Sequence, residues 1–218
     1  MTRSARIAFA AFGFLAACAV GVPVPAAWAA TAALSAEDQA AVRRIEDYIN
    51  SIDTLQARFI QLNPNGRFVE GMLYIQRPGR LLFEYDPPIS HRLIVDGGRV
   101  IFYNAELEAP AYLSIDDTPL DILLADKVSL SNGVEVTKVE RGPGTLRVTL
   151  IWAKRRDQGA VQMTFSERPF ELKKWSLIGP NGVTIHIAIL DPKFGIALDP
   201  KLFEFKDPKF YQPDKYNR

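Results

Sequence analysis

Few residues of this chain have the types and the spacing that catalysis requires. His91 and His186 are far apart, one at the start of a predicted strand and one on the polar face of another, and we expect both at the surface. Asp116 and Asp117 are adjacent acids, but they precede a predicted helix, where carboxylates favour the positive end of the helix dipole. The sequence contains no nucleophile elbow, zinc-binding helix motif, phosphate-binding glycine loop or calcium loop. We therefore predict neither an enzyme nor a metal or cofactor site, although a site assembled from residues distant in sequence stays open.

Residues 1–29 have the layout of a secretory signal peptide. Two arginines precede an uncharged apolar run over residues 7–17, and small residues flank Trp28. The run is too short to form a stable transmembrane anchor. We expect cleavage near Ala29, which leaves residues 30–218 as a single domain that can bury a sizeable core.

Cys18 allows a competing interpretation of the leader. It follows Leu15-Ala16-Ala17 in a pattern that resembles a bacterial lipobox, and lipidation there would anchor the protein to a membrane. Cys18 is also the only cysteine, so we expect neither disulfides nor thiol chemistry after cleavage. The full sequence holds 26 basic and 25 acidic residues, and this balance argues against nucleic acid as a partner.

One amphipathic helix is predicted before the strands begin. Ser35 has the type and position of an N-cap, and acidic residues follow it in the first turn. Apolar residues then recur at helical spacing, at Val42, Ile45, Tyr48, Ile49 and Ile52. This stripe predicts one buried face.

From Leu55 onward the apolar residues alternate with a period of two, which is typical of strands. Turn signals separate the stretches that we predict as strands, at residues 55–62, 68–76, 80–85, 91–95, 99–104, 111–115, 134–139, 146–152, 160–165, 172–178, 183–190 and 202–205. A single short helix interrupts this series, with Thr118 predicted to cap it and Pro119 at its first position. A sheet of this size must curl or close to limit its edges.

The chain is organised around the stretch from Gly71 to Tyr85, where two strand patterns flank an Arg-Pro-Gly-Arg turn. Arg77 comes two residues after Ile75, so it shares the apolar face if strand pairing reaches that far. Two interpretations of Arg77 stay open. It is either a hairpin arginine that points into water, or a latch that holds a mobile element over an apolar concavity.

The motif in this stretch resembles the core motif of the LolA-type outer-membrane lipoprotein carrier proteins. The likeness is strongest from Phe59 to Leu124, and it rests on Phe59-Ile60-Gln61, Gly71-x-Leu73-x-Ile75-x-Arg77-Pro78-Gly79-Arg80, Glu84-Tyr85, Pro88, Leu93-Ile94-Val95-Asp96-Gly97-Gly98, Phe102-Tyr103-Asn104, Leu107-Glu108 and Thr118-Pro119-Leu120. The resemblance implies a mainly β fold with a helical lid (α+β). We expect an unclosed antiparallel β-barrel or strongly curved sheet of about ten to eleven strands that covers an apolar cavity.

The resemblance also implies a function and a set of site residues. The protein would be a periplasmic carrier that accepts acylated lipoproteins from an inner-membrane ABC transporter and delivers them to an outer-membrane acceptor. We expect a monomer. The lipid-binding cavity is predicted to be lined by Phe59, Leu73, Ile75, Leu81, Phe83, Tyr85, Leu93, Val95, Leu120, Leu123 and Leu124. Arg77 matches the motif arginine of the family, whose implied role is to bond backbone carbonyls of the lid in the empty state.

The sequence departs from the family pattern at several positions. Leu81 stands where many relatives carry an aromatic residue, Phe83 stands where many carry Trp, and Ala109-Pro110 replaces a usual Gln. The fold is unaffected by these departures, which concern specific chain contacts and one hairpin. Two other functions also stay open. One is a lipid-anchored outer-membrane acceptor of the same fold, and the other is a periplasmic carrier of a different amphiphile, such as a glycolipid.

Overall fold

The computed structural model describes residues 34–106 and 109–207. The predicted signal peptide with Cys18 and Ala29, the Leu107-Glu108 pair of the family-like motif, and residues 208–218 lie outside the described residues.

Eleven antiparallel strands form one sheet. Their bounds are β1 Thr54–Leu62, β2 Phe68–Gln76, β3 Arg80–Tyr85, β4 His91–Asp96, β5 Arg99–Asn104, β6 Ala109–Ser114, β7 Val134–Gly142, β8 Thr145–Trp152, β9 Ala160–Glu167, β10 Phe170–Ile178 and β11 Thr184–Phe194. The spatial order is β6-β5-β4-β3-β2-β1-β11-β10-β9-β8-β7, so β1 and β11 pair in the middle and β6 and β7 are the two edges. The predicted curved, unclosed antiparallel sheet is confirmed.

The inner face of the sheet carries the apolar residues that alternate along each strand. In β1, for example, Leu55, Ala57 and Phe59 are at most 4% exposed, whereas the residues between them are half-buried. Gly71 in β2 lies where the backbone of β3 and the ring of Phe59 come closest. A Cβ atom at Gly71 would overlap the carbonyl oxygen of Glu84. The sequence requires glycine there because no side chain fits in this space.

The predicted first helix is confirmed as α1, Ala36–Asn50, and it packs on the inner face of the sheet. The Ser35 hydroxyl accepts a hydrogen bond of 3.0 Å from the backbone N–H of Asp38, as an N-cap does. Val42, Ile45 and Ile49 are buried in the same cluster as the inner-face residues of the strands. The Tyr48 ring makes edge-on contacts with two phenylalanine rings of the sheet, which fixes the position of α1.

The chain between the two edge strands forms the lid, which we define as residues 115–126. It contains a 3₁₀ turn, Ile115–Asp117, and the short helix α2, Leu120–Leu124. The predicted cap is displaced by one residue, because Pro119 occupies the N-cap position and Thr118 precedes it. Thr118 is engaged by the 3₁₀ turn, since both its N–H and its hydroxyl donate to the carbonyl oxygen of Ile115, at 2.8 and 2.9 Å.

The predicted terminal strand at residues 202–205 is wrong. A 3₁₀ helix, Pro200–Phe203, occupies this region, and the Asp199 carboxylate caps it by accepting from the N–H of Lys201 at 2.9 Å. Phe203 is only 1% exposed, and it packs on the outer face of the sheet against Leu82, Ile94 and Ile101. The segment therefore covers a face of the sheet and does not form an edge strand. The alternation of apolar residues is compatible with both arrangements, so the sequence alone could not distinguish them.

Candidate functional site

An apolar cavity of about 340 Å³ lies between the inner face of the sheet and the lid. Its walls come from strands on both halves of the sheet, and the lid contributes Thr118, Pro119, Leu120 and Leu123. Apart from Gln61, Thr118 and the hydroxyl of Tyr85, the lining side chains are apolar. Such a cavity suits a hydrocarbon ligand and offers few groups that could bind a polar one.

Five of the predicted cavity residues line this cavity, namely Phe83, Tyr85, Leu93, Leu120 and Leu123. The other six, Phe59, Leu73, Ile75, Leu81, Val95 and Leu124, are at most 7% exposed and belong to the packed core. Pairing places Ile75, Leu81 and Val95 side by side next to the β2–β3 turn. Helix ends cover this part of the inner face, whereas the cavity lies further along the strands. The alternation of apolar residues along a strand predicts which face of the sheet a residue occupies. It does not predict which part of that face is covered by the helices and which part lines the cavity.

Phe59 packs beside two lining residues of the cavity, on the same face of the sheet. Its ring makes edge-on contacts with the rings of Phe83 and Tyr85, at centroid distances of 4.9 and 5.2 Å. Phe83 in turn contacts the edge of Trp175 at 5.9 Å. These aromatic contacts hold the lining rings in fixed orientations.

Sequence reasoning missed the lining residues of β5, β6 and β9–β11. They are Val100, Phe102, Leu113, Val161, Trp175, Leu177, Ile185 and Ile187. The alternation of isoleucines in β11 was the available signal. The pairing of β11 with β1 brings these residues to the cavity, and the short-range pattern does not contain that pairing.

The Arg77 guanidinium lies between the C-terminal ends of α1 and the lid. It donates to the carbonyl oxygen of Ala125 at 2.7 Å and to that of Asp126 at 3.3 Å, both in the lid. It also donates to the carbonyl oxygens of Ile49 and Ile52 and to Oδ1 of Asn50. The guanidinium therefore does not point into water. Its action as a latch concerns motion and stays a prediction.

Two further contacts hold this end of the lid and the residues that follow it. The N–H of Gly79, in the β2–β3 turn, donates to the carbonyl oxygen of Leu124 at 2.9 Å. Asn50 binds the backbone of Val128 through both its amide nitrogen and its amide oxygen, at 2.9 and 2.8 Å. Burial lowers the pKa of Arg77, and the carboxylates of Asp53 and Asp126 oppose this change.

The other end of the lid is held by Arg155, which follows β8. Its guanidinium contacts the Asp117 carboxylate at 3.1 Å and donates to the carbonyl oxygen of Asp116. The N–H of Ile115 donates to the carbonyl oxygen of Gly98 at 2.9 Å. Asp116 and Asp117 thus precede the helix α2, as predicted, and they also contact Arg155, which comes from the other half of the sheet. This pairing was not predicted from the sequence.

Tyr85 closes one side of the cavity. Its hydroxyl donates to Oε1 of Gln61 at 2.9 Å, and burial raises the pKa of Tyr85 to about 12. The lid residue Asp121 lines a separate polar depression, and burial raises the pKa of its carboxyl group. Within the described part of the chain, Oδ1 of Asp121 has no hydrogen-bond partner.

The two histidines are half-buried, so each is only partly at the surface. The His91 ring packs edge-on against Phe102 at 5.5 Å, and Nδ1 of His186 is 2.7 Å from the hydroxyl of Ser176. Residues 34–106 and 109–207 contain no group of three or more His, Cys, Asp or Glu side chains that could hold a metal ion. In the same residues, no helix is long and apolar enough to span a bilayer.

Comparison with known proteins gives the family. A family model described as outer membrane lipoprotein carrier protein LolA matches residues 50–206. A relative from Pseudomonas aeruginosa, named outer-membrane lipoprotein carrier protein, is 32% identical over 79% of this chain and 86% of its own length. Relatives with the same name from Pseudomonas paraeruginosa and Methylococcus capsulatus are 30% and 28% identical, over 82% and 76% of this chain and over 89% and 83% of their own lengths.

Two solved structures are similar to this chain at low sequence identity. A conserved protein from Thermus thermophilus is 12% identical and gives a TM-score of 0.48 over 79% of this chain and 96% of its own. A LolA superfamily protein from Nitrosomonas europaea is 11% identical and gives a TM-score of 0.44 over 75% and 97%. The match of the family model and the identity to the Pseudomonas relatives confirm the resemblance seen in the sequence, and the chain belongs to the LolA family of outer-membrane lipoprotein carrier proteins.

Proposed function

We propose that this protein is a periplasmic carrier that binds the acyl chains of lipoproteins leaving the inner membrane and delivers them to the outer membrane. The observation that supports this most directly is the apolar cavity under a lid, in a chain of the lipoprotein carrier family. Transfer of an acyl chain into water costs about 0.8 kcal/mol per methylene, so a chain of about 16 carbons costs on the order of 10 kcal/mol. A carrier with a dry cavity lowers this barrier to crossing an aqueous space.

The size of the cavity indicates that the lid must move when the ligand binds. Pockets for small ligands hold about 300–1,000 Å³, and the 340 Å³ of this cavity is at the lower end of that range. Three acyl chains need more space than one small ligand. We therefore infer that the structure represents the empty, closed carrier, and that the loaded carrier has the lid displaced.

The lid has two sets of contacts that would have to break. Arg77 holds its C-terminal end through neutral carbonyl groups, and Arg155 holds its N-terminal end through a carboxylate and a carbonyl group. Arg77 would act as the latch, because it joins the lid to α1 at a single guanidinium. We further propose that residues 1–29 are removed as a signal peptide, that the carrier is a monomer, and that its partners are an inner-membrane ABC transporter and an outer-membrane acceptor.

Purification of the native protein from the periplasm tests the function. Mass spectrometry under native conditions should detect a triacylated lipoprotein bound to a chain that begins near Ala30. A bound glycolipid would favour the carrier of another amphiphile. A diacylglyceryl group on Cys18 would favour the lipid-anchored acceptor.

A matched pair of variants tests whether the cavity is the binding site. Leu177 lines the cavity and is half-buried, whereas Leu190 in the neighbouring strand is 40% exposed and lies outside it. Leu177→Glu should lower binding of a triacylated lipopeptide, because an unpaired carboxylate in an apolar cavity is unfavourable. Leu190→Glu should leave binding unchanged. Equal binding by both variants would contradict the assignment of the cavity.

A further inference from the structure

A second concavity of about 500 Å³ adjoins the apolar cavity on the side of the β1–β2 turn. The two concavities share Gln61, Tyr85 and Phe102 as lining residues. The second one, which we call the groove, has a different chemical character. Its polar lining includes Asn63, Asn65, Arg67, His91 and Glu106.

Hydrogen-bonded side chains lie at the boundary between the groove and the cavity. The Tyr85 hydroxyl donates to Oε1 of Gln61 at 2.9 Å, and Nε2 of Gln61 donates to Oδ1 of Asn63 at 2.7 Å. These two hydrogen bonds lead from the cavity wall to the groove. Because the partition is made by the side chains of Gln61 and Tyr85, it can open by a change of rotamer, without any change in strand pairing.

The polar groups of the groove suit an uncharged ligand that carries amides and esters. Arg67 and Glu106 contribute one charge of each sign, so the groove has no excess of positive charge that would select a phosphate. Asn63 and Asn65 provide amide groups that both donate and accept. Within the described residues, Nδ1 of His91 has no hydrogen-bond partner. This nitrogen is therefore a further polar group of the lining that a ligand could contact.

An acylated lipoprotein has the two chemical parts that this pair of concavities would separate. Its acyl chains are apolar, and they are joined through esters and an amide to a glyceryl-modified cysteine and then to the peptide. We propose that the groove binds the polar end of the cargo, that is, the glyceryl-cysteine and the first peptide residues, while the acyl chains occupy the cavity. This inference rests on the proposed function, and it adds an orientation in which the peptide leaves the carrier beside the β1–β2 turn.

Photocrosslinking locates the peptide end directly. The photoreactive residue p-benzoylphenylalanine replaces Arg67, which is exposed in the groove, or Asn132, which is exposed in a separate polar depression beside the lid. The probe is a tripalmitoylated cysteinyl peptide with biotin at its C-terminus. We expect biotin to be transferred to the chain carrying the Arg67 substitution and not to the chain carrying the Asn132 substitution. Crosslinking only at Asn132, or at neither position while the probe stays bound, would overturn the proposal.

Affinity measurements separate the groove from the cavity. In the variant Arg67→Ala/Glu106→Ala, we expect affinity for the tripalmitoylated peptide to fall about tenfold, the effect of losing roughly one charged hydrogen bond. Affinity for palmitic acid should stay unchanged, because the acid needs only the cavity. If the variant lost affinity for both probes equally, or kept its affinity for both, the result would contradict the groove as the peptide site. Failure of the unmodified protein to bind either probe would instead contradict the proposed function.

Discussion

Removal of the Arg77 guanidinium should open the lid without unfolding the sheet. Arg77→Leu deletes every hydrogen bond that joins this side chain to the lid and to α1. The substituted leucine adds apolar surface next to a buried cluster. We expect the closed state to lose more free energy than the open state, because only the closed state brings the lid carbonyls to the guanidinium.

The magnitude follows from the contacts on the lid side. The carbonyl oxygens of Ala125 and Asp126 both accept from Nη2, and Nε makes a longer hydrogen bond of 3.3 Å to the same oxygen of Ala125. Because these hydrogen bonds share a donor or an acceptor, we count them as about one strong interaction. A hydrogen bond to a charged group contributes about 1.5–3 kcal/mol to a folded state. At the upper value, the equilibrium between closed and open lid shifts about hundredfold, since 1.4 kcal/mol is a factor of ten.

Hydrogen exchange at Gly79 measures this equilibrium. The N–H of Gly79 donates to the carbonyl oxygen of Leu124 in the lid, so it becomes free to exchange when the lid opens. Exchange of this amide should be about tenfold to hundredfold faster in Arg77→Leu than in the unmodified protein. Arg77→Lys should give an intermediate rate, because an ammonium group does not reproduce the planar fork of donors. Arg99→Leu, at an exposed arginine of β5, is the control and should leave the rate unchanged.

Transfer assays then connect the lid to function. Loading of a triacylated lipopeptide by Arg77→Leu should be equal to or tighter than that of the unmodified protein, and its release to the acceptor should be slower. Equal rates of Gly79 exchange in the two proteins, at equal global stability, would refute the latch. Equal loading and release would show that the contacts are structural only.

Three further predictions concern other contacts of the site. Gly71→Ala should lower the free energy of unfolding by about 3 kcal/mol or more, measured by urea denaturation, because the new Cβ would lie 2.7 Å from Cε1 of Phe59; a loss below that range would mean that the strands separate easily. Folding raises the pKa of Tyr85 from 10 to about 12, so its stabilising contribution is present below pH 10 and is lost as the pH rises towards 12. Between pH 8 and pH 11 the free energy of unfolding should fall by about 1.4 kcal/mol more in the unmodified protein than in Tyr85→Phe. If the free energy of unfolding of the two proteins had the same pH dependence, the result would argue against a buried phenol. Arg155→Gln should raise hydrogen exchange at the Ile115 amide by up to about fivefold at low salt and leave it unchanged at high salt, because an exposed ion pair contributes about 0.2–1 kcal/mol; a difference that persists at high salt would indicate that the carbonyl contact dominates.

The local sequence determined most of the strands, α1 and the family. Alternation with a period of two fixes which side chains face the core, as Leu73 and Phe83 show, because successive residues of a strand point to opposite faces. Ser35 marked the start of α1 because a hydroxyl at that position satisfies a free N–H of the first turn. These are effects between residues close in sequence, so they can be predicted from short stretches.

The tertiary structure decided where along the sheet the cavity lies. Leu81 and Phe83 share a face of β3, yet only Phe83 lines the cavity, because the helix ends held by Arg77 and Gly79 cover the part of the inner face beside the β2–β3 turn. The far wall, with Trp175 and Ile187, depends on the pairing of β11 with β1 across more than 100 residues. The partner of Asp117 is likewise distant in sequence, since Arg155 follows β8. Such contacts depend on the path of the whole chain, and a pattern read over a few residues does not contain that path.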